Sequence, residues 1–407
     1  MLTGKDDTIG GRPVVLFLIN SLAGGGAERV MLRLVDLGAQ HYGRENVHLV
    51  LLDDEADQYA VPDWLTVHRL RGGGGLVASL MAFARVRRRI RPDLVVSFLT
   101  RSNICNVLSR GSGRSLISER VYTSDHHKGM RGAFSRLLIR YCYPRADRVV
   151  AVSHGIKADL ATRFGVPGER IVTIANPIDM EKVEAEARAF DTVLPSRDFY
   201  LAMGRFIGTK NFPMLLNAFA RARTQRDLVI LGQGAQQAEL QALTHDLGLG
   251  ERVHFAGFQR NPFAILKSAR AFLLPSNKEG FPNSLVEAMS LGIPVVSTNC
   301  PTGPSEILED VEALALDDVL VGKYGILVPV DDPARFAEAI DLMEDQALHD
   351  DLARRAKERA RHYSVAEFRR RFLQAMDGVI ASGEERAATD RDAAAVTDRN
   401  RPARRRQ

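Results

Sequence analysis

Residues 279–289 read EGFPNSLVEAM, placing two glutamates eight positions apart where an apolar run gives way to a helix. Residues 271–275 form the apolar run, Gly280 and Pro282 turn the chain, and Ser284 with Glu287 three residues on has the spacing of a capping box. On this reading Glu279 stands on the turn and Glu287 in the first helical turn. The N–H groups of Ser284, Leu285 and Val286 then open into the crevice beyond the strand's carboxyl end, where helix polarity favours a phosphate. A ligand with phosphates and hydroxyls fits such a place. The alternative is that Glu287 only caps its helix and Glu279 is a solvated turn residue.

Outward from this stretch, short β-branched or leucine-rich runs alternate with amphipathic helical stretches. The strand candidates of the first half are 14–19, 47–52, 67–70, 94–98, 115–118, 149–153 and 171–174. Asn176-Pro177 stops regular structure, and a second series follows at 200–203, 228–231, 253–256, 271–274, 295–297 and 326–328. Buried strands with helices between them predict an α/β protein of two doubly wound parallel-sheet domains. The expected divisions are an extension over 1–12, a first domain over 13–190, a second over 191–363, a helix over 364–381 returning toward the interdomain region, and a tail over 382–407. That tail ends in RNRPARRRQ and has no apolar periodicity, so it is expected to be disordered.

A chain of 407 residues exceeds the usual size of one core, and 45% hydrophobic with 26% charged residues is ordinary for a soluble protein. Cys105, Cys142 and Cys300 have neither metal-ligand nor disulfide-framework spacing, which suits a reducing cytosol. The first apolar run is too short for a signal peptide and no stretch is long enough to cross a bilayer. A cytoplasmic protein is expected, with peripheral attachment to the inner membrane as an option.

Three further loops carry chemistry. The first strand leads into Gly24, Gly25 and Gly26 before a helix, so backbone N–H groups can approach a phosphate or an acceptor. The loop is neither a Walker A sequence nor a GxGxxG fingerprint, which disfavours an ATPase or a dehydrogenase. In the second half, Gly204-Arg205 and Lys210 share one strand-to-helix loop, and Pro213 marks the helix start. An arginine that grips two oxygens and a lysine that adds a compact charge can together neutralise a diphosphate. The third loop, Gly303-Pro304-Ser305-Glu306-Ile307, enters another helix, with Glu306 either functional or simply complementing the helix dipole. Asp53, Asp54 and Glu55 read as a solvated loop rather than a metal site.

Gly204-Arg205 with Lys210, Glu279-x7-Glu287 and the GPSEI loop together resemble the GT-B glycosyltransferases of family 4, over nearly the whole chain to about residue 380. The resemblance implies two Rossmann-like domains facing across a cleft, a retaining enzyme, a nucleotide-sugar donor and neither cofactor nor bound metal. By position, Arg205 and Lys210 would hold the donor diphosphate, and Ser284 and Leu285 would offer it N–H groups. Glu287 would accept from ribose hydroxyls, while Glu279 with Gly280, Phe281, Pro282 and Asn283 would contact the transferred sugar. Many relatives carry a histidine after the fifth strand; this chain has Glu119 and Arg120 there, with His126 and His127 farther on.

Residues 127–148 and 77–91 mix arginines with apolar residues at helical spacing, so they read either as basic helices lying on an anionic inner-leaflet surface or as ordinary half-buried helices. Relatives with the GPSEI loop build bacterial surface polysaccharide, which implies a UDP-sugar carrying a hexose or N-acetylhexosamine and a polyprenyl-linked glycan acceptor. No specific nucleic acid is expected as a partner. Two rival readings are a UDP-sugar epimerase of the same fold and a non-catalytic basic protein that binds membranes or polyanions.

Overall fold

The computed structural model describes residues 11–23, 25–73, 75–109, 111, 113–126, 129–189 and 198–399. Gly24 and His127 lie outside the described residues, as do 1–10, the 190–197 connection and 400–407.

Seven strands form the first sheet: β1 (Val15–Ile19), β2 (Val47–Leu51), β3 (Thr66–Arg69), β4 (Leu94–Phe98), β5 (Arg114–Glu119), β6 (Arg148–Ala151) and β7 (Ile171–Thr173). Seven more form the second: β8 (Phe199–Met203), β9 (Asp227–Leu231), β10 (Val253–Gly257), β11 (Phe272–Leu274), β12 (Val295–Thr298), β13 (Leu320–Val321) and β14 (Ile326–Val328). Their orders are β3-β2-β1-β4-β5-β6-β7 and β10-β9-β8-β11-β12-β14-β13. All neighbours pair in parallel except β13, which runs antiparallel to β14 at the edge. The expected pair of doubly wound Rossmann-like domains is present. The two-residue β13 escaped the sequence because so short an edge strand has no periodicity to read.

Why these runs become strands is visible in β1. Val15, Phe17 and Ile19 pack into the core on one face, while Leu16 and Leu18 enter a separate core on the other. A strand buried on both faces must be apolar at every position, so a continuous run rather than an alternating one marks it. In β8 the same split sends Tyr200 and Ala202 to one core and Phe199 and Leu201 to the other.

The sheet orders place the switch points between β1 and β4 and between β8 and β11, and loops at the strands' carboxyl ends open there. The final helix, Val365–Arg399, follows the second domain but packs Phe368, Phe372, Met376 and Val379 into the first domain's core. Phe372 stacks near Phe98 with ring centroids 6.2 Å apart. The two crossings between domains run side by side, with the Ile178 N–H donating to the Tyr363 carbonyl at 2.7 Å.

The helix continues to Arg399, so the expected disordered tail over 382–407 is corrected for its first part. Residues 384–399 hold five alanines and no glycine or proline, and helix propensity needs no apolar face to extend a helix that is already nucleated.

Because Phe372 is fully buried between the returning helix and the first sheet, Phe372→Ala is expected to cost about 3–5 kcal/mol. Urea unfolding reads this as a lower midpoint, and exposed Arg369→Ala serves as a control that changes stability by less than about 0.5 kcal/mol.

Candidate functional site

The loop after β8 and the turn after β11 meet through a lysine and a glutamate. Lys210 Nζ donates to Glu279 Oε1 at 2.5 Å, with side-chain exposures of 21% and 9%. Phe206, fully buried, anchors the first loop and leaves Arg205 exposed beside it. The second loop is tied to the first by the Asn277 N–H on the Thr209 carbonyl at 2.9 Å and by Asn211 on the Asn277 side chain at 2.8 Å. Thr302 then donates its hydroxyl to the Glu279 backbone carbonyl, so three loops hold this residue and Lys210 holds its carboxylate.

The helix after Glu279 runs Asn283–Ser290 and has no side-chain cap. The expected capping box does not form, since Pro282 is the residue before the helix and Ser284 already lies inside it. Glu287 therefore falls in the second turn rather than the first, and its carboxylate is released toward the other domain. A second expectation also shifts: the N–H groups of Leu285 and Val286 turn back to the Pro282 carbonyl at 3.1 and 3.4 Å. Helix geometry leaves Asn283 and Ser284 as the N–H groups with no intrahelical acceptor.

Across the cleft stands the glycine loop. A Cβ on Gly26 would lie 2.9 Å from Asn283 Nδ2, so the loop and the helix start touch, and a side chain there would displace the Asn283 amide. Tyr59 clamps the neighbouring Gly25, donating to its carbonyl at 2.9 Å and accepting from its N–H at 3.3 Å. That N–H is consequently not aimed at a ligand as the sequence implied. One turn later, Arg29 Nη2 donates to Glu287 Oε1 at 2.9 Å. Sequence reading missed Arg29, because an arginine in the first turn of a helix carries no signal until its partner, 258 residues away, is placed beside it.

Glu119 and Arg120 behave differently from the expectation. The Glu119 carboxylate points into the first domain, accepting from the Tyr143 hydroxyl at 2.6 Å and the Arg120 N–H at 3.0 Å, and burial pushes its pKa up. It is a structural strut, not a ligand contact. Arg120 lies 4.1 Å over the Phe98 ring, and burial lowers its guanidinium to about 9. Its Nη2 donates to Asn176 Oδ1 at 2.5 Å, and Asn176 Nδ2 donates to Asn283 Oδ1 at 2.8 Å. Arg120 thus reaches the helix Asn283–Ser290 through one intervening amide. Its carbonyl also lies against the other domain: a Cβ on Gly280 would come within 2.1 Å of it, so only glycine allows this approach. His126 sits in the short helix Thr123–His126.

Glu306 keeps a hydrogen bond to the Gly303 backbone at the start of its own helix and reaches beyond that helix as well. It accepts from the backbone N–H groups of His154 at 2.7 Å and Gly155 at 3.0 Å, at the start of the helix His154–Phe164 in the first domain. A glutamate of one domain thereby complements the dipole of a helix in the other. Burial raises its pKa, against which the two N–H groups pull. Because the contact needs the ionised acceptor, acid loosens it at a higher pH than an ordinary glutamate would require. Asp53 is held by Arg101 and Asp54 lies 3.7 Å from Arg71, so the first of these acids is an ion-paired group rather than a solvated one.

Residues 24–182 match the family model described as Glycosyltransferase Family 4, and residues 185–363 match Glycosyl transferases group 1. The chain is 29% identical to the N-acetylgalactosamine-N,N'-diacetylbacillosaminyl-diphospho-undecaprenol 4-alpha-N-acetylgalactosaminyltransferase of Campylobacter jejuni, over 88% of this chain and 98% of that one. It is 30% identical to the lipopolysaccharide 1,6-galactosyltransferase of Salmonella typhimurium over 56% of this chain and 62% of that one. Among solved structures, Anabaena HepE in complex with UDP shares the fold with a TM-score of 0.72 at 19% identity, over 89% of this chain and 99% of that one.

Replacing Glu306 by Gln keeps the shape but removes the charge that two N–H groups share. A charge-assisted bond lost across a cleft predicts a fall in kcat/KM of about tenfold, with the circular dichroism spectrum unchanged; an unaltered kcat/KM would show that this contact does not help close the cleft.

Proposed function

Since this chain belongs to the GT-B glycosyltransferases of family 4 and is a sugar-transferring enzyme, we propose that it moves a hexose or N-acetylhexosamine from a UDP-sugar, with retention, to a polyprenyl-linked glycan in bacterial surface polysaccharide synthesis. The observation that supports this most is the convergence of Lys210, Glu279, Glu287 and the Asn283 helix start on one cleft, faced by the glycine loop. Cations, carboxylates that can accept from hydroxyls, and N–H groups at a helix start are the chemistry that a diphosphate, a sugar and a ribose call for.

In this reading Arg205, Lys210 and the N–H groups of Asn283 and Ser284 take the diphosphate, so leaving-group charge is met by fixed donors. Protein cations do the work that a metal would do elsewhere, and no cofactor is required. Glu279, already held by three loops, orients the transferred sugar. The bond from the sugar's anomeric carbon to the phosphate oxygen breaks while the acceptor oxygen bonds to that carbon on the same face, and the leaving phosphate takes the acceptor's proton. Rate then comes from positioning and leaving-group stabilisation rather than from a protein nucleophile. The epimerase and non-catalytic alternatives lack a specific observation in their favour.

For the acceptor side, the relative from Campylobacter acts on a diphospho-undecaprenol glycan by name. In this chain the helices Leu76–Ile90 and Gly129–Cys142 expose Val77, Met81, Phe134, Leu137 and Tyr141. Exposed arginines, Arg85, Arg88, Arg89 and Arg140, alternate with them. Apolar side chains beside cations suit the headgroup layer of an anionic leaflet, which brings the active cleft to a lipid-borne acceptor. Arg87, from the same helix, is excluded from that face: it is buried and donates to the Asn106 carbonyl at 2.7 Å and Ser109 Oγ at 2.9 Å. Among the described residues no helix is long and apolar enough to cross a membrane.

Mass spectrometry of products from a panel of UDP-, GDP- and ADP-sugars mixed with bacterial lipid extract tests the transfer. One lipid product should gain one sugar from a UDP donor, survive chelator, and vanish with Glu279→Ala; conversion of a donor without acceptor would favour the epimerase. Sedimentation with anionic vesicles tests the surface: the protein should pellet with them, and Phe134→Glu with Leu137→Glu should release it without loss of turnover on a soluble acceptor. Equal pelleting of the variant would remove these helices from the membrane reading.

A further inference from the structure

Glu287 is the residue to which the proposed function gives the ribose hydroxyls, and one of its two oxygens already has a partner. Arg29 Nη2 lies 2.9 Å from Glu287 Oε1, with the arginine side chain 50% exposed and the glutamate 9%. The carboxylate is thus the fixed member, buried in the helix Asn283–Ser290, and the arginine is the solvated member that can swing. Two neighbouring hydroxyls on a ribose donate to a carboxylate with one bond to each oxygen, and a guanidinium on Oε1 takes one of that oxygen's lone pairs and crowds the approach to it. An arginine on Oε1 and a ribose on the same carboxylate therefore exclude each other in part.

We infer that Arg29 is a positioning residue that sets nucleotide affinity by competing with the ribose for Glu287. Donor entry exchanges a cross-domain ion pair for hydroxyl hydrogen bonds; after transfer, the return of Arg29 to Glu287 helps displace the nucleoside diphosphate. The contact also joins the first turn of the helix Gly26–Tyr42 to the second domain, so each exchange is coupled to how firmly the cleft is held. The exposure of Arg29 makes the ion pair weak enough to be replaced by a neutral ligand. An interaction of this kind lowers affinity for the ligand that must break it, so its removal raises affinity, whereas removal of a direct ligand contact lowers it. The inference rests on the reading that Glu287 takes the ribose.

Calorimetric binding of UDP and of a UDP analogue lacking both ribose hydroxyls, to wild type, Arg29→Ala, Arg29→Lys and Glu287→Ala, separates the two claims. Wild type should prefer UDP, and Glu287→Ala should abolish that preference. Arg29→Ala should bind UDP about three- to tenfold more tightly, while its affinity for the analogue changes by less than about twofold; Arg29→Lys should fall between. If wild type and Glu287→Ala show no preference for the hydroxyls, the ribose reading falls and takes this inference with it. If the preference is present but Arg29→Ala leaves UDP affinity unchanged, weakens it, or shifts both ligands equally, the inference about Arg29 alone is overturned. Thermal unfolding of each variant checks the fold, and Arg29→Lys provides the comparison if Arg29→Ala is unstable.

Discussion

The backbone of Gly280 lies so close to the Arg120 carbonyl that no side chain fits between them. This approach fixes how the turn after β11 meets the end of β5, and with it the separation of the two sheets. The polar contacts across the cleft depend on that separation, which the close approach of Gly155 to the Pro301 carbonyl also helps to set. Asn283 comes within reach of Asn176 and of the glycine loop, Glu287 comes within reach of Arg29, and Glu306 reaches the helix start at His154. A steric limit on one residue positions several polar contacts, because packed backbones are far stiffer than hydrogen-bonded side chains.

Charge in the cleft is arranged in pairs that span loops or domains. Lys210 and Glu279 join two loops of the second domain, Arg29 and Glu287 join the domains, and Glu306 joins one domain's carboxylate to the other's helix dipole. The first two pairs contain members that the proposed chemistry needs for a ligand, namely Lys210, Glu279 and Glu287. Such pairs orient the groups before a ligand arrives and limit the reorganisation required afterwards, which is the condition for electrostatic catalysis. Glu119 shows the contrast: its carboxylate is satisfied wholly within one domain, and burial raises its pKa without placing it where a ligand could use it.

Thirteen of the strands were legible, most of them because they are runs of buried apolar residues such as β1, β4 and β9, and burial on both faces leaves that mark in the sequence regardless of what surrounds it. The glutamates and cations of the second domain were legible for a similar reason: turn residues and charge cluster within a few positions. The capping box at Ser284 was a misreading, since the same spacing arises when a helix begins two residues earlier and the glutamate is turned to another partner. The length of the last helix was underestimated because its final part has helix-forming residues but no apolar stripe.

By itself, the sequence determined the two parallel sheets, the loops at their carboxyl ends and the residue types gathered on those loops, since all of these follow from local periodicity and turn chemistry. Only the tertiary structure decided which of those residues face one another. Arg29 and Glu287, Asn176 and Asn283, and Glu306 and the His154 helix are separated by more than a hundred positions. Their meeting depends on the angle and distance between domains, which long-range backbone packing sets and no local pattern encodes.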